Sequence, residues 1–73
     1  MPTAEELKSR IEAAIPGSRA DVDTNDGVHF SARVVAGAFD GLSRIEQHRL
    51  VYGAFEGELG GDIHALSLKT ETP

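Results

Sequence analysis

No cysteine occurs in this 73-residue chain, so whatever it folds into is held by apolar packing and hydrogen bonds alone. A chain this short lies near the lower limit at which one unassisted core suffices, so the expectation is a single domain over residues 1–73 with no spare length for a substrate cleft. The same absence excludes a disulfide framework, a thiolate metal site, a redox CxxC pair and a cysteine nucleophile. No apolar run approaches the roughly 18–20 residues that span a bilayer. The amino terminus opens with helix chemistry instead of a charged-then-apolar leader. A soluble, cytoplasmic domain with no membrane partner is expected. Twelve acids against seven bases leave a net charge of −5, which opposes generic nucleic-acid binding, because phosphate contacts need Lys and Arg in excess. The charge is uneven. Residues 27–52 are the only third with more bases (Arg33, Arg44, Arg49) than acids (Asp40, Glu46).

Thr3-Ala4-Glu5-Glu6 has the form of a capping box, with Thr3 and Glu6 each satisfying a free backbone N–H. Ala4, Leu7, Ile11, Ala14 and Ile15 then recur at helical spacing, and Pro16-Gly17 stops the run, predicting a helix over 4–15. Arg19 to Asp23 alternates, Asn25-Asp26-Gly27 signals a turn, and His29 to Val35 alternates again, which predicts an antiparallel hairpin. In its second strand Phe30, Ala32 and Val34 share one face, and His29, Ser31, Arg33 and Val35 the other. Residues 36–41 form a small-residue connector with Phe39 as anchor. Ser43 then caps what should be the longest helix, running to about Leu59 before Gly60-Gly61. At 100° per residue Ile45, His48, Val51, Tyr52, Phe55 and Leu59 fall within about 120°, the expected core face. Leu50 lies away from it. Ile63 to Lys69 alternates as a third strand.

The order is α-β-β-α-β. A helix between two strands makes a right-handed crossover joining parallel strands. If strands two and three are neighbours, both begin at one end of the sheet, and the Asn25-Asp26-Gly27 turn comes beside His64. Catalytic constellations are absent. Ser43 is a helix cap, Ser67 has no histidine at a forcing spacing, Glu56 and Glu58 point to different sides of their helix, and Asp21, Asp23 and Asp26 lack the fixed Gly and terminal Glu of an EF-hand. The three histidines are the natural titrating groups near neutrality. His48 is read as a core histidine bonded to a backbone carbonyl, His29 as a residue on the solvent face, and His64 as one at a strand entry, where a side chain can reach a partner.

Phe39-Asp40-Gly41-Leu42-Ser43 with Gln47-His48-Arg49-Leu50-Val51-Tyr52 resembles the F-x-G…R-H-R-x-V-Y signature of the BolA family. Glu58-Leu59, Ile63-His64-Ala65-Leu66 and Thr70-Glu71-Thr72-Pro73 look like its E-L…I-H-A-L…T-x-T-P ending, and Val28-His29-Phe30 fits its second strand. The resemblance covers essentially the whole chain. It implies an α+β fold of the class II KH-like type, a three-stranded mixed sheet with helices packed on one face. It further implies a non-enzymatic adaptor that partners a monothiol glutaredoxin and shares a [2Fe–2S] cluster, with glutaredoxin and glutathione supplying thiolates and His64 an imidazole. No cofactor is implied for the isolated chain. The family's second ligand is a His or Cys in the first hairpin loop; here Asp26 lies near that position and His29 follows, so both are second candidates and His64 alone is preferred. Relatives commonly continue past T-P into a further helix, whereas this sequence stops at Pro73.

On the adaptor reading, Arg49 and Leu50, with Asn25 and Gly27 of the loop, are the candidate docking residues. The alternative is a DNA-binding regulator using the KH-like fold with Arg33, Arg44, Arg49 and Lys69. The net charge, the absence of a G-x-x-G clamp and the scarcity of stacking aromatics favour the adaptor. Alone, the chain is expected to be a monomer or a weak homodimer formed through the free side of the first strand.

Overall fold

The structure is a computed structural model that describes residues 3–55 and 65–73. Its elements run α1 (Ala4–Ala14), β1 (Arg19–Thr24), β2 (His29–Val35), a 3₁₀ turn (Gly37–Phe39), α2 (Arg44–Gly53) and β3 (Ala65–Glu71). The sheet order is β1-β2-β3, with β1 antiparallel to β2 and β3 parallel to it. This is the expected α+β architecture with a mixed sheet.

Each element follows from local chemistry. Thr3 accepts the Glu6 N–H at 3.1 Å at the start of α1, which is one half of the expected capping box. The full box occurs at α2, where Ser43 and Glu46 cap each other. The 3.6-residue stripe of α1 sends Leu7 and Ile11 into the core, where Ile15 joins them. The sheet meets them with Ala20, Phe30, Ala32 and Val34, while Phe39, Val51 and Phe55 close the other side. Leu66 and Leu68 of β3 pack against this cluster, and both helices therefore cover one face of the sheet. His29, Ser31 and Arg33 occupy the exposed face, as the strand period requires. The Phe39 anchor is fully buried.

Two expectations about α2 are corrected. Its core face is rotated relative to the expected one: Val51 and Phe55 are buried, but Ile45 is 66% exposed and His48 and Tyr52 are only half-buried. The reason is Gln47, which turns inward because its amide is used. Its Nε2 donates to the carbonyls of Phe39 (3.2 Å) and Leu42 (3.0 Å), and its Oε1 accepts the Thr70 hydroxyl at 2.7 Å. His48 is accordingly not a core histidine. Its ring stands edge-on to Tyr52, with centroids 6.2 Å apart, and among the described residues it has no carbonyl partner.

The second correction is length. The helix ends at Gly53 and tightens through Ala54 and Phe55, whose N–H groups reach back to the Val51 and Tyr52 carbonyls. A glycine inside a helix costs about 1 kcal/mol relative to alanine. Arg10 takes the Ala54 carbonyl at 3.0 Å and lies over the Phe55 ring, drawing the chain back towards α1. The expected continuation to Leu59, and Ile63 and His64 of the expected third strand, lie outside the described residues.

Candidate functional site

The β1–β2 hairpin connection is held by short polar side chains. Thr24 Oγ1 donates to the His29 carbonyl at 2.8 Å and accepts the Gly27 N–H at 2.9 Å. Gly27 has φ of +76°, a conformation that favours glycine there. Asp26 Oδ1 accepts the N–H groups of Val28 and His29, both at 2.8 Å. Its other oxygen lies 2.7 Å from His29 Nδ1. The His29 backbone N–H is the main influence, followed by the His29 ring and the Val28 N–H, and together they hold the Asp26 carboxyl far below the usual carboxylate range.

Asp26 is therefore committed on both oxygens, and His29 on Nδ1. A carboxylate on one ring nitrogen is the arrangement that fixes a histidine's tautomer and leaves its Nε2 for another partner. Because Asp26 and His29 are exposed, this pairing is an orienting device and not a source of large stability. Asp23, Asn25, Asp26, His29, Ser31 and Ser67 line a cavity of about 240 Å³ beside the loop. It reaches across to β3, because the parallel register sets His29 opposite Ala65 and Ser31 opposite Ser67.

The structure thus brings Asn25, Asp26 and His29 to the β2–β3 entry. Ala65, the residue bonded to His64 in the sequence, pairs with His29 there; His64 itself lies outside the described residues. Among the described residues, no group of three His, Cys, Asp or Glu side chains could hold a metal ion. Arg49 and Leu50 occur elsewhere, on the solvent side of α2, with Leu50 42% exposed. Arg49 also helps, after the Ser43 N–H and hydroxyl, to lower the Glu46 carboxyl.

Of the four cations of the nucleic-acid alternative, Arg44 and Lys69 line a cavity with His48, Arg33 and Lys69 are cross-strand neighbours beside Asp21 and Asp23, and Arg49 joins neither cavity. Arg33 is held by Glu71 at 2.6 Å on the open face of the sheet, and Lys69 also reaches Glu71, at 3.7 Å. The sequence reading passed over the Asp26–His29 pairing and the placement of His48. Both leave a signal in spacing: i,i+3 within a turn for the first, and i,i+4 from Arg44 for the second.

A small α+β domain with a parallel β2–β3 pair, a polar hairpin loop at the entry of that pair and both helices on one face is the class of protein that this fold and site define. The family model for BolA-like protein matches residues 5–73, and the chain belongs to that family. It is 32% identical over 81 residues to human BolA-like protein 1, across 99% of this chain and 59% of the relative. It is 44% identical over 62 residues to SufE-like protein 1, chloroplastic/mitochondrial, of Arabidopsis thaliana, across 84% of this chain and 16% of that protein. The chain thus spans about three-fifths of one relative's length and a small part of the other's. The solved structure of a bolA protein homologue from Coxiella burnetii superposes with a TM-score of 0.85 at 43% identity, covering 100% of this chain and 94% of that one.

Proposed function

We propose that this BolA-like chain is a non-enzymatic adaptor that binds a monothiol glutaredoxin and shares a [2Fe–2S] cluster with it and with glutathione, His64 supplying the chain's ligand. The support is family membership across residues 5–73, together with a relative named as SufE-like. The observation that carries the site is the β2–β3 register, which sets the hairpin loop opposite Ala65, one residue beyond His64. Cytoplasmic residence belongs to the same proposal.

The donor chemistry fits a shared cluster. The chain has no thiolate to offer, so thiolates must come from the partner. Asp26 already has partners on both oxygens within its own loop, which disfavours a carboxylate ligand relative to imidazole. When bound, a cluster with imidazole in place of thiolate has a raised reduction potential. Arg49 and Leu50 on α2, with Asn25 and Gly27 of the loop, are the proposed docking residues. The DNA-binding alternative is not favoured, because Arg33 is paired with Glu71 and Arg49 does not join Arg44 and Lys69.

Titrating cluster-loaded monothiol glutaredoxin with the chain should change the visible absorption and circular dichroism, and His64→Ala should abolish that change. A mutant complex whose spectrum equals that of wild type would show that His64 is not the ligand.

A further inference from the structure

The two edges of the sheet are finished differently. On β1, the hydrogen-bonding side is set by the antiparallel ladder, and Ala20 directs its backbone groups outward. There its N–H donates to Glu12 Oε2 at 3.1 Å and its carbonyl accepts from Lys8 Nζ at 2.9 Å, while Lys8 and Glu12 pair with each other at 2.9 Å. Helix α1 thereby clamps that edge at Ala20.

On β3 the Glu71 carbonyl accepts the Ala36 N–H at 3.1 Å, so Glu71 faces β2. The strand period turns Ser67 and Lys69 the same way. Leu66, Leu68 and Thr70 therefore direct their N–H and C=O groups away from the sheet. Among the described residues, none of these backbone groups has a partner. An open edge of this kind is a template for another strand.

Beside that edge lies a cavity of about 330 Å³ lined by Arg44, His48, Leu68, Lys69 and Thr70. Three of its five lining residues carry basic side chains and none is acidic, in a chain whose net charge is −5. Gln47 fixes its floor by tying α2 to Thr70. We propose that this edge receives an extended, acidic peptide segment of a partner protein, added as a fourth strand along β3.

Main-chain hydrogen bonds to Leu66, Leu68 and Thr70 supply the pairing. Side chains of the added strand alternate between faces. Acids turned to the helix side meet Arg44 and His48, and acids turned to the open side meet Lys69. The edge offers alternating donors and acceptors, which match a peptide backbone and not a sugar-phosphate chain. A polyanion would also meet the acidic remainder of the molecule, whereas a short acidic strand beside Leu66 to Thr70 meets Arg44, His48 and Lys69, with Glu71, already bonded to Arg33, as the acid of β3 at its end. This surface is separate from the hairpin loop, and its test needs neither glutaredoxin nor a cluster.

The test is a titration of the isotope-labelled full chain with an end-capped hexapeptide of alternating Glu and Val, followed by amide shifts and hydrogen exchange. The matching Lys/Val hexapeptide and hexathymidylate serve as comparisons. The Glu/Val peptide should shift and protect the amides of Leu66, Leu68 and Thr70. The R44E/K69E double variant should weaken binding at least tenfold and R44Q/K69Q several-fold, with melting curves confirming that both variants remain folded. The proposal is overturned if no shift appears at millimolar peptide, if the shifts centre on β1 or the hairpin loop, or if charge reversal leaves binding unaltered. Equal or tighter binding of the Lys/Val peptide or of hexathymidylate overturns it too, as does self-association through β3 without peptide.

Discussion

Replacing Gln47 by alanine tests whether one polar side chain sets the position of α2. Gln47 makes three neutral hydrogen bonds, to Phe39, Leu42 and Thr70, each worth about 0.5–1.5 kcal/mol net. Their mid-range sum of about 3 kcal/mol is reduced, because the side chain is half-buried and water can replace part of what is lost; alanine also returns a few tenths of a kcal/mol in helix propensity. The expected loss is about 2 kcal/mol. A chain of this size has roughly 4–11 kcal/mol of total stability at the usual value per residue, so the variant remains folded. Thr70→Val removes one bond and leaves Gln47 Oε1 unpaired, for an expected loss of about 1 kcal/mol. In urea, with a slope near 1 kcal/mol per molar for a small domain, the midpoints fall by about 2 M and 1 M. The double variant should lose only about 2 kcal/mol, because the shared bond is counted in both singles. Strict additivity in the cycle, or a Gln47→Ala loss below about 0.5 kcal/mol, would refute the argument that these bonds turn Gln47 inward at the expense of Ile45.

Further outcomes are expected. Lys8→Met combined with Glu12→Met exposes the Ala20 backbone on the β1 edge, and sedimentation should show concentration-dependent self-association; an unchanged monomer would mean that the clamp is not what keeps this edge apart. Acid should destabilise the fold. Glu12, Asp26, Glu46 and Glu71 all titrate below their ordinary values in the folded chain, so the unfolded state binds more protons, and stability present above about pH 5 is lost as the pH falls through the folded values. Urea midpoints that stay level or rise between pH 6 and pH 3 would contradict that sign.

The sequence was legible where one interaction dominates. The Leu7, Ile11 and Ile15 part of the α1 stripe, the alternation of Phe30, Ala32 and Val34, and the Phe39 anchor are hydrophobic signals that burial followed, while Ala14, expected on the same stripe, is exposed and Ala4 only half-buried. The parallel β2–β3 pair followed from chain connectivity, since a helix must carry the chain back to the starting end. The face of α2 was misjudged because periodicity ranks side chains by apolarity alone. It places Ile45 inside and Gln47 outside, while three hydrogen bonds to residues outside the helix, one of them on β3, decide the reverse. The site behaves similarly. The meeting of the loop with the β3 entry was visible in topology, but the commitment of Asp26 was not, because an aspartate in a turn looks the same whether its oxygens are available or spent.

That commitment changes what an aspartate at the expected ligand position does. If Asp26 were a ligand, its Oδ2 would trade the contact with the His29 ring for the metal, while Oδ1 kept the Val28 and His29 amides. As an orienting group it keeps those bonds and holds His29 by Nδ1. If His64 is the ligand, as proposed, it acts alone or with His29 through Nε2, and the two cases separate experimentally. Asp26→Ala disturbs the loop on either account, so it cannot discriminate. His29→Ala leaves the two amide bonds to Asp26 in place and removes only the imidazole. With His64 alone as ligand, the His29→Ala chain should reproduce the wild-type spectrum on titration with cluster-loaded glutaredoxin, while His64→Ala gives none of it. A spectrum altered by His29→Ala, in a variant whose urea midpoint is unchanged, would instead make His29 a second donor and Asp26 the group that orients it.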